Sequence, residues 1–241
     1  IVIENNSQKK ETFAYYEKLQ AENPKVKVVF WEREFNYSAI NNYGVGFAKG
    51  EYLLFLNNDT EIINPDCIEE LLGYCMRDDV GIVGARLYYE DDTIQHVGVI
   101  IGLGGVAGHT FVGEPKDSLG YFGRIVTAQD YSAVTAACLM TKRKVFEKVN
   151  GFEEKLAVAF NDVDFCLKVR EAGYLVVYNP YAELHHYESK SRGLEDTEEK
   201  VLRFQGEIRT FQYRWKEILN EGDPYYSPNL TLDKTDFSLR I

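Results

Sequence analysis

The sequence predicts an α/β fold in which a mixed, mostly parallel sheet is flanked by helices. Three observations predict it. Strand-like and helix-like segments alternate through the first half of the chain, and the apolar run Tyr52–Leu56 is typical of a strand buried on both faces. The 241 residues, 45% of them hydrophobic, also suffice for a sizeable core. The net charge of −11 argues against a protein that holds nucleic acid through its phosphates.

The first half is predicted to run strand, helix, strand, helix, strand, helix. The strands are short apolar runs at 1–3, 26–31 and 52–56. The helices have apolar residues at helical spacing and lie at 11–22, from 38 to about 49, and after 65. Ser38 is a candidate N-cap for the second helix, and Asn64 followed by Pro65 is a candidate start of the third.

The second half changes character. The β-rich runs 81–89 and 93–101 flank an acidic turn and predict a hairpin. Later elements are a strand near 134–141, a short helix ending at Gly151, a helix capped by Asn161, a strand at 174–179 and a helix at about 196–220. We therefore divide the chain into a domain of residues 1–195, with halves 1–80 and 81–195, and a C-terminal helix with an extended tail, 196–241.

Cysteine usage and the apolar runs bear on location. The four cysteines show no CxxC pairing, which favours a reducing compartment, and no apolar run approaches the roughly 20 residues that span a bilayer. Residues 1–3 resemble the middle of a folded unit, so we expect the chain to be a piece of a longer protein, located in the cytoplasm.

Polar side chains follow three predicted strands. They are the segments 4–7, 57–59 and 185–186. In an open α/β sheet, ligands bind beyond the carboxyl ends of the strands, so these segments are the first candidates for a site.

Several segments together resemble the family 2 glycosyltransferases with the GT-A fold, in particular rhamnosyltransferase-like enzymes of bacterial surface polysaccharides. The matching segments are 1–7, 35–42, 50–60, 159–166 and 186–193. The resemblance implies a nucleotide-diphospho-sugar transferase fold whose first strand is missing from this chain. It also implies an inverting enzyme that needs a divalent metal, Mn²⁺ or Mg²⁺.

The acidic metal-binding motif of the family falls on Asn57, Asn58 and Asp59. The resemblance implies that Asp59 is a metal ligand and that the two asparagines belong to the nucleotide-binding side of the site. One carboxylate is chemically sufficient, because such cations keep waters and bind substrate phosphates. His186 matches the family's late histidine, a further metal ligand, although a slip of one residue would select His185. The alternative for Asp59 is an acid in a turn before the next helix.

Asp162 matches the general base of the family, which takes a proton from the acceptor hydroxyl. An alternative role is structural, since Asn161 can cap a helix and acidic residues favour its first turn. Asp164, at the third helical position, is interpreted as a structural capping residue.

The remaining candidates concern donor and acceptor. The resemblance implies that the nucleotide contacts Glu4, Ser7 and Asn36, and that the diphosphate contacts Ser189, Lys190 and Arg192. His96 and His109 flank a region that faces the acceptor sugar in such enzymes, and packing inside the protein is the alternative for His96.

The predicted function is sugar transfer from a nucleotide donor, dTDP-rhamnose or a UDP-sugar, to a surface-polysaccharide or lipid-linked glycan. Such an acceptor would place the enzyme peripherally at the inner face of the membrane. A second reading is a non-catalytic module that binds nucleotide or glycan or acts as a scaffold. The glycine-rich segment 102–107 fits a loose dinucleotide-binding pattern, but the residues after it cannot open a helix, which argues against an NAD enzyme.

Overall fold

The structure is a computed structural model that describes residues 1–187 and 197–240. The strands are β1 (Val2–Glu4), β2 (Val28–Phe30), β3 (Tyr52–Leu56), β4 (Thr60–Ile62), β5 (Val80–Tyr88), β6 (Ile94–His96), β7 (Val99–Ile101), β8 (Ala107–His109), β9 (Gln129–Asp130), β10 (Cys138–Lys142) and β11 (Leu175–His186). The helices are α1 (Lys10–Glu22), α2 (Tyr37–Val45), α3 (Cys67–Cys75), α4 (Arg143–Lys148), α5 (Asn161–Glu171), α6 (Glu198–Arg214) and α7 (Lys216–Glu221). The alternation predicted for the first half is confirmed.

The central sheet has seven strands. Its main path runs β3-β10-β5-β11-β4, while β6 extends from β5 and β9 pairs with β11. The sheet is mixed, as predicted. Among the strands that the structure describes, however, the parallel pairs are β5–β11 and β1–β2, because β10 enters antiparallel to both β3 and β5. The side-chain period of a strand is the same in either direction, so the sequence pattern does not indicate strand direction.

Strands β1 and β2 form a separate two-stranded parallel sheet. In the seven-stranded sheet, β3 lies at one edge, and β10 is its one partner among the described strands. The alternation along β3 reflects this position: Leu53 and Phe55 are buried, and Leu56 is exposed. The expectation of a strand buried on both faces holds only in part, because the face that carries Tyr52, Leu54 and Leu56 is partly exposed to solvent.

Helices cover both faces of the central sheet. On one face α3 packs with Cys67, Leu71 and Cys75 into a core cluster. On the other face α5 contributes to a larger cluster through residues such as Phe165 and Cys166. All four cysteines are buried and free, which agrees with the interpretation of cysteine as a small apolar residue.

Some boundaries differ from the predictions because of tertiary contacts. Asn36, not Ser38, caps α2, since the Ser38 hydroxyl instead donates to the Leu156 carbonyl at 2.6 Å. Asp66, not Asn64, directly precedes α3. The Asn64 side chain instead donates to the Tyr181 carbonyl and accepts from Glu183 N–H, both in β11. The short strand β4 was not predicted, because three residues without clear alternation carry little periodic signal.

The C-terminal region packs on the body of the protein. A break at Trp215 separates α6 from α7, where the sequence predicts one helix. The tail is not merely extended, because Leu230 and Phe237 fold back into the larger core cluster. In the glycine-rich middle, a short turn is followed by β8 and not by a helix, as expected. Among the described helices, none is long and apolar enough to cross a membrane.

Asp164 joins α5 to the C-terminal helices. Its carboxylate is fully buried, accepts from the Trp215 indole N–H at 2.9 Å and lies 3.1 Å from Arg214 Nε. Burial raises the pKa of Asp164, while the neighbouring Lys168 and the Trp215 hydrogen bond oppose the shift. The capping role expected for Asp164 is therefore wrong, since its side chain holds another helix.

We expect Trp215→Phe to lower the free energy of unfolding by about 2 kcal/mol, because the variant removes a hydrogen bond to a buried charged acceptor. Denaturant unfolding followed by circular dichroism measures the change. A free energy of unfolding equal to that of the wild type would contradict the anchoring role of Asp164.

Two glycines provide a matched test of the fold. Gly98 has φ +126°, and a Cβ there would lie 2.6 Å from the ring of the fully buried Tyr131, whereas a Cβ on Gly73 in α3 meets nothing within 4 Å. Gly98→Ala should therefore destabilise the protein by about 3 kcal/mol. Gly73→Ala should stabilise it by up to about 1 kcal/mol, because alanine favours helix. Thermal unfolding of the two variants compares them, and equal shifts would contradict both expectations.

Candidate active site

The loop after β3 carries the acidic motif and is held by backbone contacts. Asn57 N–H donates to the Ala137 carbonyl at 3.0 Å, and the Thr60 hydroxyl donates to the Asn57 carbonyl at 2.8 Å. Tyr187 N–H donates to the Asp59 carbonyl at 2.8 Å. The loop is thus fixed between the start of β10 and the end of β11.

Pairing of β4 with β11 brings the motif to the late histidines. In the register His186 is opposite Thr60, and Nε2 of His186 lies 3.2 Å from Asp59 Oδ1 and 3.2 Å from Asn57 Nδ2. Successive side chains of a strand point to opposite faces, so His185 points away and contacts Asp92 at 2.9 Å. Of the two histidines, His186 is the one beside Asp59.

The Asp59 and His186 side chains are partly to largely buried, with exposed fractions of 20% and 10%. The neighbouring His186 side chain lowers the pKa of the Asp59 carboxyl, and burial opposes the shift. Asp59 is therefore ionised at neutral pH. Apart from Nε2 of His186, its buried Oδ1 has no hydrogen-bond partner among the described residues, which leaves it available to a cation.

Asp162 lies in the first turn of α5, two residues after Phe160, which has a left-handed backbone conformation with φ +60°. Its Oδ1 accepts from Val163 N–H at 2.8 Å, and its Oδ2 accepts from Ala136 N–H at 3.1 Å. The carboxylate is half-buried and held at two points. Asn161 is not the cap that the sequence predicts, because it lies inside the helix and donates to the Val158 carbonyl.

A short segment before β10, residues 135–137, connects these groups. Ala136 N–H donates a hydrogen bond to the Asp162 carboxylate, and the carbonyl of the next residue, Ala137, accepts one from Asn57 N–H. The Ala136 carbonyl accepts from the hydroxyl of Tyr37 at 2.9 Å. The carboxylate of Asp162 and the acidic motif are therefore attached to adjacent residues of one segment.

Sequence reasoning missed Tyr37, which packs at this junction. Burial, together with the nearby Asp162 carboxylate, raises the pKa of Tyr37, so its hydroxyl stays protonated. Its position two residues after Phe35, within a segment that matches the family, was the available signal.

Glu4 is buried, and its carboxylate is used within the chain. It accepts from Ser7 N–H at 2.6 Å, from the Ser7 hydroxyl at 2.9 Å and from the Tyr16 hydroxyl at 2.7 Å. Burial raises the pKa of Glu4, but the hydrogen bonds from Tyr16 and Ser7 outweigh it and leave the pKa below its usual value. A nucleobase would have to share this ionised carboxylate, so the nucleotide contacts of Glu4 and Ser7 stay predictions.

The two other asparagines of the predicted nucleotide site differ in their surroundings. Asn36 caps α2 by accepting from Ala39 N–H, and it also donates to the Glu154 carbonyl at 2.8 Å. Asn58 is exposed at the tip of the loop. Their nucleotide contacts stay predictions, and the predicted phosphate-binding residues Ser189, Lys190 and Arg192 lie outside the described residues.

His96 and His109 contact each other, with ring centroids 4.6 Å apart. His96 is fully buried and its Nε2 accepts from Thr135 N–H at 3.3 Å. Burial, with the nearby His109 and His186, holds the pKa of His96 well below its usual value. The full burial of His96 agrees with the alternative of packing inside the protein, and its acceptor contact stays a prediction. His109 is half-buried, and its contact with an acceptor stays a prediction.

Comparison with known proteins identifies the family. The sequence model of glycosyl transferase family 2 matches residues 1–149. The chain belongs to this family. Protein y4gI of Sinorhizobium fredii is 48% identical over 240 residues, which are 99% of this chain and 26% of that protein. The O-antigen biosynthesis protein RfbC of Myxococcus xanthus is 38% identical over 242 residues, 100% of this chain and 18% of that protein. The family 2 chain thus spans about a quarter or less of either relative.

Solved structures agree with this family assignment at the level of the fold. GalNAc-T7, solved with UDP, GalNAc and Mn²⁺, matches 90% of this chain and 43% of its own with a TM-score of 0.67 and 13% identity. The mannosyltransferase PcManGT of Pyrobaculum calidifontis, solved with GDP-Man and Mn²⁺, matches 91% of this chain and 58% of its own with a TM-score of 0.57 and 16% identity. The fold of this family 2 chain is therefore GT-A, as the resemblance implies.

Proposed function

We propose that this chain is an inverting, metal-dependent glycosyltransferase that moves a sugar from a nucleoside-diphosphate donor to a hydroxyl of a glycan acceptor. The observation that carries the proposal is the arrangement of Asp59, His186 and Asp162. Asp59 and His186 lie side by side in a partly buried site. Asp162 is hydrogen-bonded to Ala136, the neighbour of the Ala137 residue that binds Asn57 of the acidic motif.

The donor set fits a divalent cation. Asp59 offers a buried carboxylate oxygen whose one polar side-chain neighbour in residues 1–187 and 197–240 is His186, and His186 offers a ring nitrogen 3.2 Å from it. No group of three or more potential metal ligands occurs in residues 1–187 and 197–240. Two protein ligands are nevertheless enough, because Mg²⁺ and Mn²⁺ in phosphate sites take further oxygens from substrate and water. The imidazole favours Mn²⁺, and the two solved structures compared above were determined with Mn²⁺.

The proposed reaction assigns a role to each group. Asp59 and His186 would hold a divalent cation, which would offset the negative charge that gathers on the leaving diphosphate. The acceptor oxygen forms a bond to the anomeric carbon, the bond from that carbon to the diphosphate breaks, and the acceptor proton moves to Asp162. Attack opposite to the leaving diphosphate inverts the anomeric centre.

Donor and acceptor are proposed from the relatives. A rhamnosyltransferase of Mycobacterium tuberculosis that acts on N-acetylglucosaminyl-diphospho-decaprenol is 37% identical over 60 residues, 25% of this chain and 20% of that protein. Together with RfbC it supports dTDP-rhamnose or a UDP-sugar as donor and a lipid-linked or surface glycan as acceptor. Such an acceptor would place the protein peripherally at the cytoplasmic face of the membrane.

The experiment is isothermal titration of UDP and dTDP, each with and without Mn²⁺, followed by incubation with donor sugars and assay of nucleoside diphosphate release. Binding of one nucleotide that requires Mn²⁺, with turnover of its sugar, supports the proposal and names the base. Metal-dependent binding without turnover or transfer would favour the non-catalytic module. If neither nucleotide binds, the proposed donor site is wrong.

A further inference from the structure

Gln95 is a buried polar residue in the three-residue strand β6, with 2% of its surface exposed. Strand β6 pairs with β5, and β5 pairs with the end of β11, so Gln95 reaches His186 across the sheet. A buried amide is costly unless it is hydrogen-bonded. The contacts of this amide therefore indicate what it does.

The amide of Gln95 contacts His186 at two points. Its Nε2 donates to the His186 backbone carbonyl at 3.1 Å, and its Oε1 lies 2.7 Å from His186 Nδ1. Turning the amide over would set its oxygen against the backbone carbonyl, placing two acceptors together. Since the amide oxygen can only accept, Nδ1 of His186 is the donor and carries the proton.

A neutral imidazole with its proton on Nδ1 has a lone pair on Nε2. This Nε2 lies 3.2 Å from Asn57 Nδ2, an N–H that can donate to the lone pair, and 3.2 Å from the buried Asp59 Oδ1, which has no N–H or O–H donor among the described residues. Two lone pairs that face each other at this distance repel. The same arrangement is favourable around a cation, which both atoms can bind.

We propose that Gln95 is a positioning residue that holds His186 in the tautomer with its proton on Nδ1 and so directs the Nε2 lone pair to a divalent cation. This inference rests on the proposed function. Outer partners of metal-binding histidines orient the ring and select the tautomer, and their loss costs about 10- to 100-fold in metal affinity. Sequence reasoning missed Gln95, whose signal was a polar side chain inside an apolar strand pattern.

The test uses Gln95→Leu, which keeps the size of the side chain but removes the acceptor, and Gln95→Glu, which keeps an acceptor for Nδ1–H. Nitrogen-15 NMR of the metal-free protein at about pH 8, where imidazole is neutral, reports which ring nitrogen carries the proton. The chain has four histidines, and His186→Ala assigns the signal. Mn²⁺ affinity in the presence of the nucleotide is measured by electron paramagnetic resonance.

The control is Gln129→Leu. Gln129 is half-buried and donates to the backbone carbonyls of Arg124 and Thr127, and it lies on β9, which pairs with a distant part of β11. We expect wild type and the control to show the proton on Nδ1 of His186. Gln95→Leu should mix the tautomers and weaken Mn²⁺ binding about 10- to 100-fold. Gln95→Glu should restore the proton on Nδ1 but only part of the Mn²⁺ affinity, because its second oxygen faces the His186 carbonyl where the amide donated.

Two outcomes separate this inference from the proposed function. If the wild type binds Mn²⁺ with nucleotide and Gln95→Leu binds equally well, the inference is wrong and the proposed function stands. If the wild type binds no Mn²⁺ with either nucleotide, the proposed function is wrong. A wild-type spectrum with the His186 proton on Nε2 would overturn the tautomer assignment, even if the Gln95→Leu variant fails to fold.

Discussion

Asp162→Asn should lower kcat about 10²- to 10⁴-fold, because the amide cannot take the proton of the acceptor hydroxyl. Asparagine has nearly the same shape as aspartate, and its oxygen can still accept from Val163 N–H or Ala136 N–H, the two donors that hold the carboxylate. We therefore expect the folded structure and the Mn²⁺-dependent nucleotide affinity to change little. Steady-state transfer assays and nucleotide titration measure these properties.

Asp164→Asn is the matched control, since it makes the same chemical change two residues away in the same helix. Asp164 is fully buried and holds Trp215 and Arg214, so its substitution should lower the free energy of unfolding while kcat of the folded enzyme changes little. Asp162→Asn, in contrast, should lower kcat and leave the free energy of unfolding nearly unchanged. If Asp162→Asn retained kcat within about tenfold of the wild type, Asp162 would not be the general base.

The second large effect is expected for His186→Ala and Asp59→Ala. Each should weaken nucleotide binding in the presence of Mn²⁺ by more than about 100-fold, because removal of a ligand costs more than removal of its outer partner. Without Mn²⁺ the variants should bind nucleotide as the wild type does. Calorimetric titration with and without the metal measures the difference.

His185→Ala provides the control for the histidine. It changes the neighbouring residue, whose side chain points to the other face of β11 and contacts Asp92 on the surface. Its Mn²⁺-dependent nucleotide affinity should match that of the wild type. Loss of binding in His185→Ala with retention in His186→Ala would show that the ligand is one residue earlier than proposed.

The local elements of the first half could be predicted because each has a complete signal within a few residues. Helix α1 ends next to Asn23, before Pro24, and strand β3 coincides with its apolar run. The local sequence pattern gave the wrong prediction where the hydrogen-bond partner of a side chain lies far away in the sequence. Ser38 has the chemistry of an N-cap, but its hydroxyl is used by a carbonyl 118 residues away.

Some candidate site residues could likewise be selected from the sequence, whereas others could be selected only from the structure. The motif around Asp59 and the residue Asp162 could be selected from the sequence, because the resemblance rests on residue types at matching positions. The choice between His185 and His186 could not, since two adjacent histidines have the same chemistry. The pairing of β4 with β11 determines which of them faces Asp59, and β4 has too few residues to be predicted.

By itself, the sequence determined the fold class and the types of side chain that can take a proton or bind a cation. Only the tertiary structure decided how they are combined. It bonded Asp162 and Asn57 to two adjacent residues, Ala136 and Ala137. It also buried His96 and brought the Gln95 amide into contact with His186. The physical reason is that hydrogen bonds between distant strands depend on register and direction, and a period of two residues in the sequence encodes neither.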